Sequence, residues 1–241
     1  MEQLFKKLGA TNPQKLAEEV EHFTSKEADK RDAIVLGYFG ETGVNRIVEA
    51  IANRLLSPPT FRTSSKVLDV GAGSGSFTIR IAERVRNRIP KVAFYAMDAT
   101  PAMLLALQKK NAEITPFLGT AENIEASIKE AKAYAKIPLK FDAVFSTLML
   151  HHSIKPEKVF ESIKKVLKKN GRAVILDLCE HKFEEFKTEM NDVHLGFNLE
   201  NARRMAEKQF TQVEIEKIPG INCSHSGRSA ELFVVSMRNT G

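Results

Sequence analysis

Seven short apolar, β-rich segments recur along the chain with helical patterns between most of them, and this rhythm restricts the fold more than any other feature. They fall at about 66–70, 92–97, 114–118, 141–147, 172–178, 212–218 and 232–237. Alternation of this kind predicts an α/β fold, a doubly wound and mainly parallel sheet with helices on both faces. A chain of 241 residues can close one such domain with extensions and bury a substantial core. The pattern at 77–89 puts Phe77, Ile81 and Val85 on one helix face, with Ile79 and Ala82 broadening it and Pro90 stopping it. A second helix opens at Pro156 and runs through "EKVFESIKKVLKK" to Asn170-Gly171, which reads as a glycine C-cap. Between the third and fourth strands, most of "TAENIEASIKEAKAYAKIPLKFDAV" reads as a helix.

Ahead of the sheet lies a helical region. Its junction, "SPPTFRTSS", carries Pro58, Pro59 and a Ser/Thr cluster, so residues 1–64 are expected to be an N-terminal helical cap and linker, and residues 65–241 the main domain. Within the cap, "LGYFGETGVNRI" offers Tyr38 and Phe39 to cover a ligand and Gly37, Gly40 and Gly43 as hinge positions. An ordinary helix-helix turn is the other reading of this stretch.

The +6 net charge is concentrated, because bases and acids balance over residues 1–64 and the whole excess falls in 65–241. Much of it sits on two helical stretches, at Arg80, Arg84, Arg86 and Arg88 and at Lys155, Lys158, Lys164, Lys165, Lys168 and Lys169. A nucleic-acid surface would interleave aromatics with those bases, so solvated helix faces are the better reading and nucleic acid is not the expected partner. No apolar run approaches the roughly 20 residues needed to span a bilayer, and the first residues show no export signal. Cys179 and Cys223 are the only cysteines, too few for a disulfide framework or a zinc cluster, which fits a reducing compartment. Cytoplasm is the expected location, with no membrane partner and no metal.

The chemistry is concentrated in "KVLDVGAGSGSFTIRIAERV", residues 66–85. The first strand ends in an acid, and Gly71, Gly73 and Gly75 form a turn into a helix, so the backbone can approach a ligand closely and present N–H groups at a helix N-terminus. The spacing G-x-G-x-G, with Ser76 next, departs from the dinucleotide fingerprint G-x-G-x-x-G and disfavours a nicotinamide cofactor.

The phrase "VLDVGAGSGSFT" resembles motif I of the class I S-adenosylmethionine-dependent methyltransferases, and the likeness continues in order. "FYAMDATPAMLLAL" resembles the second motif, "FLGTAENI" the third, and "FDAVFSTLMLHH…FESIKKVLKKNGRAVILDL" the fourth to sixth. The resemblance covers about 66–237 and is nearest to the small-molecule group typified by ubiquinone/menaquinone-biosynthesis methyltransferases. It implies a Rossmann-like sheet of seven strands in the order 3-2-1-4-5-7-6 with the seventh antiparallel, "FTQVEIEKIPG" and "ELFVVSMRN" being the closing hairpin and "INCSHSGRSA" a loop of about ten residues between them.

The cofactor implied is S-adenosyl-L-methionine. Its carboxylate suits the N–H groups around Gly71, Ala72, Gly73 and Gly75. Its ammonium suits Asp69 or the carbonyls near Gly71 and Ser146, although Asp69 can equally orient the loop. Asp98 can accept both ribose hydroxyls, while Ala99 and Met103 flank the adenine. The family often places an acid directly after the glycine of the third motif; here Thr120, Ala121 and Glu122 follow, so adenine recognition is the weakest carry-over. His151 and His152 lie just past the fourth strand, where α/β sheets bind ligands; they are the candidate catalytic residues, as a general base or as shapers of the substrate site.

The implied reaction is in-line displacement of the activated methyl group onto a small-molecule acceptor, with a dedicated base optional. The acceptor is expected between the N-terminal helices, the His151/His152 turn and residues 181–198, where Phe183, Phe186, Met190 and Phe197 are candidate walls or core packing. Methylation of RNA or protein stays open, as does a non-catalytic cofactor-binding regulator. The sequence does not set the oligomeric state.

Overall fold

The structure is a computed structural model that describes residues 1–22, 25–57 and 61–240; the junction residues Pro58 and Pro59 lie outside the described residues. Strand β1 (Lys66–Val70) lies inside the sheet, with β2 (Ala93–Asp98) and β3 (Ile114–Leu118) on one side. On the other side follow β4 (Phe141–Thr147), β5 (Leu167–Leu178), β7 (Arg228–Arg238) and finally β6 (Gln212–His225). Strands β1 to β5 pair in parallel, and β7 runs antiparallel to both β5 and β6. The expected order 3-2-1-4-5-7-6 and the reversed seventh strand are therefore both present.

Both faces of the sheet are covered, and the alternation of side chains divides them. On one face Val67, Phe94, Phe145 and Leu176 pack with α4 (Ser76–Arg86) and with the C-terminal half of α3 (Ser25–Leu56), through Val44, Ile47, Ile51 and Leu55. On the other, Leu68, Met97, Val144 and Ile175 pack with α6 (Ile124–Ala131), α7 (Pro156–Val166) and α9 (Leu199–Glu207). Adjacent residues such as Val67 and Leu68 are both fully buried, which is why these strands read as continuous apolar runs rather than as alternating ones. Helix α5 (Pro101–Lys110) follows β2, with Pro101 in its first turn.

Three local expectations are corrected. The segment "INCSHSGRSA" is not a loop, because β6 and β7 stay paired as far as His225↔Arg228 around the two-residue tip Ser226-Gly227. Both tip residues have positive φ, at 46° and 74°, as tight hairpins require. The breaker Pro219-Gly220 is absorbed by a register shift between Ile218 and Asn222, which the outermost strand of the sheet tolerates. Helix α7 ends at Val166, four residues before Asn170; Asn170 takes φ 62° in a bulge of β5, and a Cβ on Gly171 would meet the Lys168 carbonyl at 2.8 Å. Helix α6 covers only Ile124–Ala131, preceded by one 3-10 turn over Ala121–Asn123 and followed by turns and irregular chain up to β4.

The N-terminal region has two parts. Helices α1 (Glu2–Lys7) and α2 (Pro13–His22) bury Phe5, Leu8, Ala17 and Val20 against each other and reach Ala99 at the end of β2. Helix α3 is broken at Gly40, where φ 63° and ψ 168° leave the helical region; beyond the break it belongs to the core. The bases of α4 point at acids of neighbouring elements, with Arg80 on Glu41, Arg84 on Glu49 and Arg86 on Glu113. That pairing stitches α4 to α3 and leaves little free positive surface there for a polyanion.

Candidate functional site

The glycine turn is tied to the end of β2. The Gly71 and Ala72 N–H groups donate to the Met97 carbonyl at 2.8 and 3.0 Å, and the Gly73 N–H donates to Asp98 Oδ2 at 2.7 Å. The other carboxylate oxygen of Asp98 accepts the Thr100 N–H at 2.9 Å. Burial pushes the Asp98 carboxyl up, and these N–H groups oppose that shift by favouring the charged form. All three glycines have positive φ, yet for different reasons. A Cβ on Gly71 would sit 2.3 Å from Met149 Cγ and one on Gly75 would sit 2.8 Å from Leu107 Cγ, whereas one on Gly73 would meet nothing within 4 Å. Gly71 and Gly75 serve close packing, whereas Gly73 leaves open space beside the backbone.

Two cavities meet at this turn, along the C-terminal edge of the parallel strands. The first, about 210 Å³, is lined by Gly71, Gly73, Asp98, Ala99, Met103 and the run Thr120, Ala121, Glu122. The second, about 90 Å³, is lined by Ala72, Tyr38, Phe39, His151 and Met190 among others, and Arg31, Gly71, Gly73, Leu148 and His152 belong to both. Leu148 holds φ 57° on the shared wall, a strained conformation for a branched side chain, with its N–H donated to Leu176.

The remaining expected cofactor residues stand behind the cavities. Asp69 is buried, with Oδ2 accepting the Thr78 hydroxyl at 2.6 Å and Oδ1 lacking a hydrogen-bond partner. Burial pushes its carboxyl up to about 7. Ser146 is buried and its hydroxyl donates to the Val70 carbonyl at 2.7 Å. Gly75 is the N-cap of α4 and packs on Leu107. These three support the turn and do not line either cavity.

The chamber contents suit S-adenosylmethionine. Thr11 and Thr120 line the larger cavity with buried hydroxyls that have no protein partner, available to a polar heterocycle, and the turn leaves space over Gly73. Glu122 is committed elsewhere. Its carboxylate accepts the Thr11 N–H at 2.7 Å through one oxygen and the Ser153 hydroxyl and Lys155 N–H, at 3.3 and 3.1 Å, through the other. The acid of the third motif thus fastens the N-terminal segment over the cavity.

Beside the second cavity, His151 is buried with Nδ1 2.7 Å from Asp177 Oδ1, while Asp177 Oδ2 accepts the Leu150 N–H at 2.8 Å. Burial opposes a charged His151, but Asp177 and Asp192 outweigh it and raise its pKa. His152 is driven the other way, well below the ordinary value, by burial and by the charges of His151 and Arg31, so its imidazole is neutral. Of the four residues expected as acceptor walls, Met190 lines the second cavity; Phe186 and Phe197 are buried in the two cores, and Phe183 stacks on His181. The buried thiols are pushed up, to about 11 for Cys179 and about 12 for Cys223, which removes them as nucleophiles.

Sequence reasoning missed Arg31, Asp177 and Asp192. Asp177 could have been found as the acid ending β5, the counterpart of Asp69 and Asp98; Arg31 and Asp192 lie in no motif.

This combination of sheet order, glycine turn and strand-end acid is that of the class I S-adenosylmethionine-dependent methyltransferases. A family model described as a methyltransferase domain matches residues 62–217, and the chain belongs to that family. The ubiquinone/menaquinone biosynthesis C-methyltransferase UbiE of Sinorhizobium fredii is 26% identical over 176 residues, 73% of this chain and 63% of that protein. The chain thus spans a little under two thirds of that relative. The mitochondrial ubiquinone biosynthesis O-methyltransferase of Schizosaccharomyces pombe is 30% identical over 114 residues, 47% of this chain and 38% of that protein. Among solved structures, phosphoethanolamine N-methyltransferase 2 of Haemonchus contortus, in complex with S-adenosyl-L-methionine, superposes with TM-score 0.63 at 19% identity, covering 90% of this chain and 58% of that one. At that identity the likeness speaks for the fold. S-adenosylmethionine is the cofactor, and among the described residues no helix is long and apolar enough to cross a membrane.

Proposed function

We propose that the protein transfers a methyl group from S-adenosylmethionine to a small molecule held in the second cavity. The observation that carries this reading is the meeting of two chambers at Gly71, Gly73, Leu148, His152 and Arg31. One chamber is bordered by the turn and strand-end acid expected to hold the cofactor, and the other opens beside it under α3. S-adenosylmethionine supplies a methyl carbon already activated by its sulfonium, so the protein's tasks are alignment and exclusion of water. The residues proposed to hold it are Gly71, Gly73, Asp98, Ala99, Met103, Thr120 and Ala121, with Asp69, Gly75 and Ser146 keeping the turn in shape and Glu122 holding the cover closed.

Tyr38, Phe39 and Met190 give the acceptor chamber apolar walls, and Arg31, His151 and His152 give it polar ones. Neutral His152, facing both chambers, stands where an acceptor proton would be taken. The second chamber is narrow and roofed by Val35, Tyr38 and Phe39 of α3, which favours a small acceptor over an RNA or protein segment. The relatives named for ubiquinone and menaquinone biosynthesis point to small acceptors as well. Of the cap expected over residues 1–64, the part ahead of Gly40 is proposed to act as the lid, with Gly40 as its pivot, since α3 beyond the break is packed into the core. A turnover screen with methyl-labelled cofactor against metabolite, RNA and protein pools tests the reading. Label in metabolites is the expected result. Label only in macromolecules rejects a small acceptor, and tight cofactor binding without transfer identifies a regulator.

A further inference from the structure

The turn after β4 and the segment after α8 (Glu185–Glu189) bring His151, His152 and Asp192 together so that one ligand atom from each lies within 4.8 Å of the others. We propose that these three side chains bind a divalent cation of the zinc class at the rim of the second cavity. The proposal goes beyond methyl transfer and does not depend on it; a cation on His152 Nε2 takes the lone pair that would otherwise receive the acceptor's proton.

Four observations carry it. Asp192 is only 5% exposed, and both of its carboxylate oxygens are buried without a hydrogen-bond donor. A buried carboxylate in that state needs a positive partner. His151 Nδ1 is engaged by Asp177, which leaves Nε2 facing Asp192 Oδ1 at 3.5 Å. A carboxylate that holds one imidazole nitrogen while the other meets the metal is the usual support for a histidine ligand. His152 Nδ1 lies 3.3 Å from the Asn191 carbonyl, an acceptor that takes only a donor, so its Nε2 keeps a lone pair. Finally, the carboxylates of Asp177 and Asp192 both face the cluster against Arg31, with Lys15 acting more weakly on His152 and His225 on Asp192.

The donor set decides the ion. Two imidazoles and one carboxylate suit zinc and its transition-metal neighbours, whereas magnesium and calcium prefer all-oxygen sets. Three protein ligands leave a further position open, and His151 and His152 both border the second cavity, so an oxygen of a bound molecule can occupy it. The competing occupant is a proton: an imidazolium at His151 held between Asp177 and Asp192 would also balance the charge.

Calorimetric titration of untagged, chelator-stripped protein with Zn²⁺ separates the two, with Co²⁺ absorption reporting the coordination and thermal unfolding reporting the fold. Saturable binding of a single equivalent is expected. Asp192→Asn and His152→Gln should each weaken it by at least about tenfold, and Asp177→Asn by about ten- to a hundredfold. His225→Gln, which removes a histidine paired with Glu189 outside the cluster, should leave it unchanged. Should Asp192→Asn fail to fold, His152→Gln decides. Absence of saturable binding, or equal binding by the parent and these variants, overturns the metal site in favour of the proton. The methyl-transfer reading survives that outcome, with His152 as the proton acceptor.

Discussion

The N–H of Thr11 donates to Glu122 Oε2 across 2.7 Å, joining the loop between the first two helices to the turn after β3. Because Glu122 also accepts from Ser153 and Lys155, one carboxylate latches three segments around the larger chamber. Replacing it with alanine should weaken binding of S-adenosylhomocysteine by about 1–3 kcal/mol, the worth of charge-assisted hydrogen bonds. Glutamine, which keeps an acceptor, should fall in between. Calorimetry with unchanged affinity in Glu122→Ala would show that the N-terminal segment is held by its apolar contacts alone.

Asp98→Ala removes the acceptor for the Gly73 and Thr100 N–H groups as well as the one expected for the ribose. Cofactor affinity should drop by about 1.5–3 kcal/mol, with Asp98→Asn less affected. An alanine variant that binds as tightly as the parent rejects the ribose assignment.

The three glycines of the turn should respond differently to substitution. At Gly73 there is space for a side chain, so Gly73→Val, despite strain at φ 53°, should cost binding more than stability. At Gly71 the added carbon strikes Met149, so Gly71→Ala should lower the unfolding temperature first. Parallel melting curves and cofactor titrations of the two variants check this; equal loss of stability in both would contradict it.

Asp69 sets a pH dependence. Its carboxyl titrates near 3.8 in the unfolded chain and is pushed up to about 7 in the fold, chiefly by burial, with the Thr78 hydrogen bond opposing and Asp98 adding to it. The native state therefore holds the extra proton between those values, and stability falls as pH rises through that window. Asp69→Asn keeps an acceptor for Thr78 and should flatten the curve of unfolding temperature against pH from about 4 to 7. A variant with the parent's slope would assign the effect to other groups.

The parallel strands were legible as apolar runs, most plainly β1 and β4, which are buried on both faces, whereas their order in the sheet came from the resemblance of the motifs. The ends of elements were less legible. Pro219-Gly220 reads locally as a stop, yet pairing with β7 resumes beyond it, and no local pattern records that partner. In the same way Asn170-Gly171 looks like a helix cap, while the chain had already left the helix at Val166 to reach β5. Residues on the site's motif positions, such as Asp98 and Gly73, could be read directly because strand, turn and helix are contiguous in sequence. Arg31 and Asp192 could not, since tertiary packing alone brings a residue of α3 and one after α8 to the ends of β4 and β5. Glu122 marks the boundary between the two cases: its position near the cofactor was legible, but its tether to Thr11 was not.

Arg31 stands on the common wall of both chambers, on the part of α3 that precedes the Gly40 break. Any ligand that repositions this guanidinium alters the shape and field of the neighbouring chamber as well as its own. The two occupancies are then linked, and the linkage is symmetric: the factor by which spent cofactor changes acceptor affinity is the factor by which acceptor changes the affinity for spent cofactor. One side chain thus couples the two occupancies even where the guests themselves do not touch.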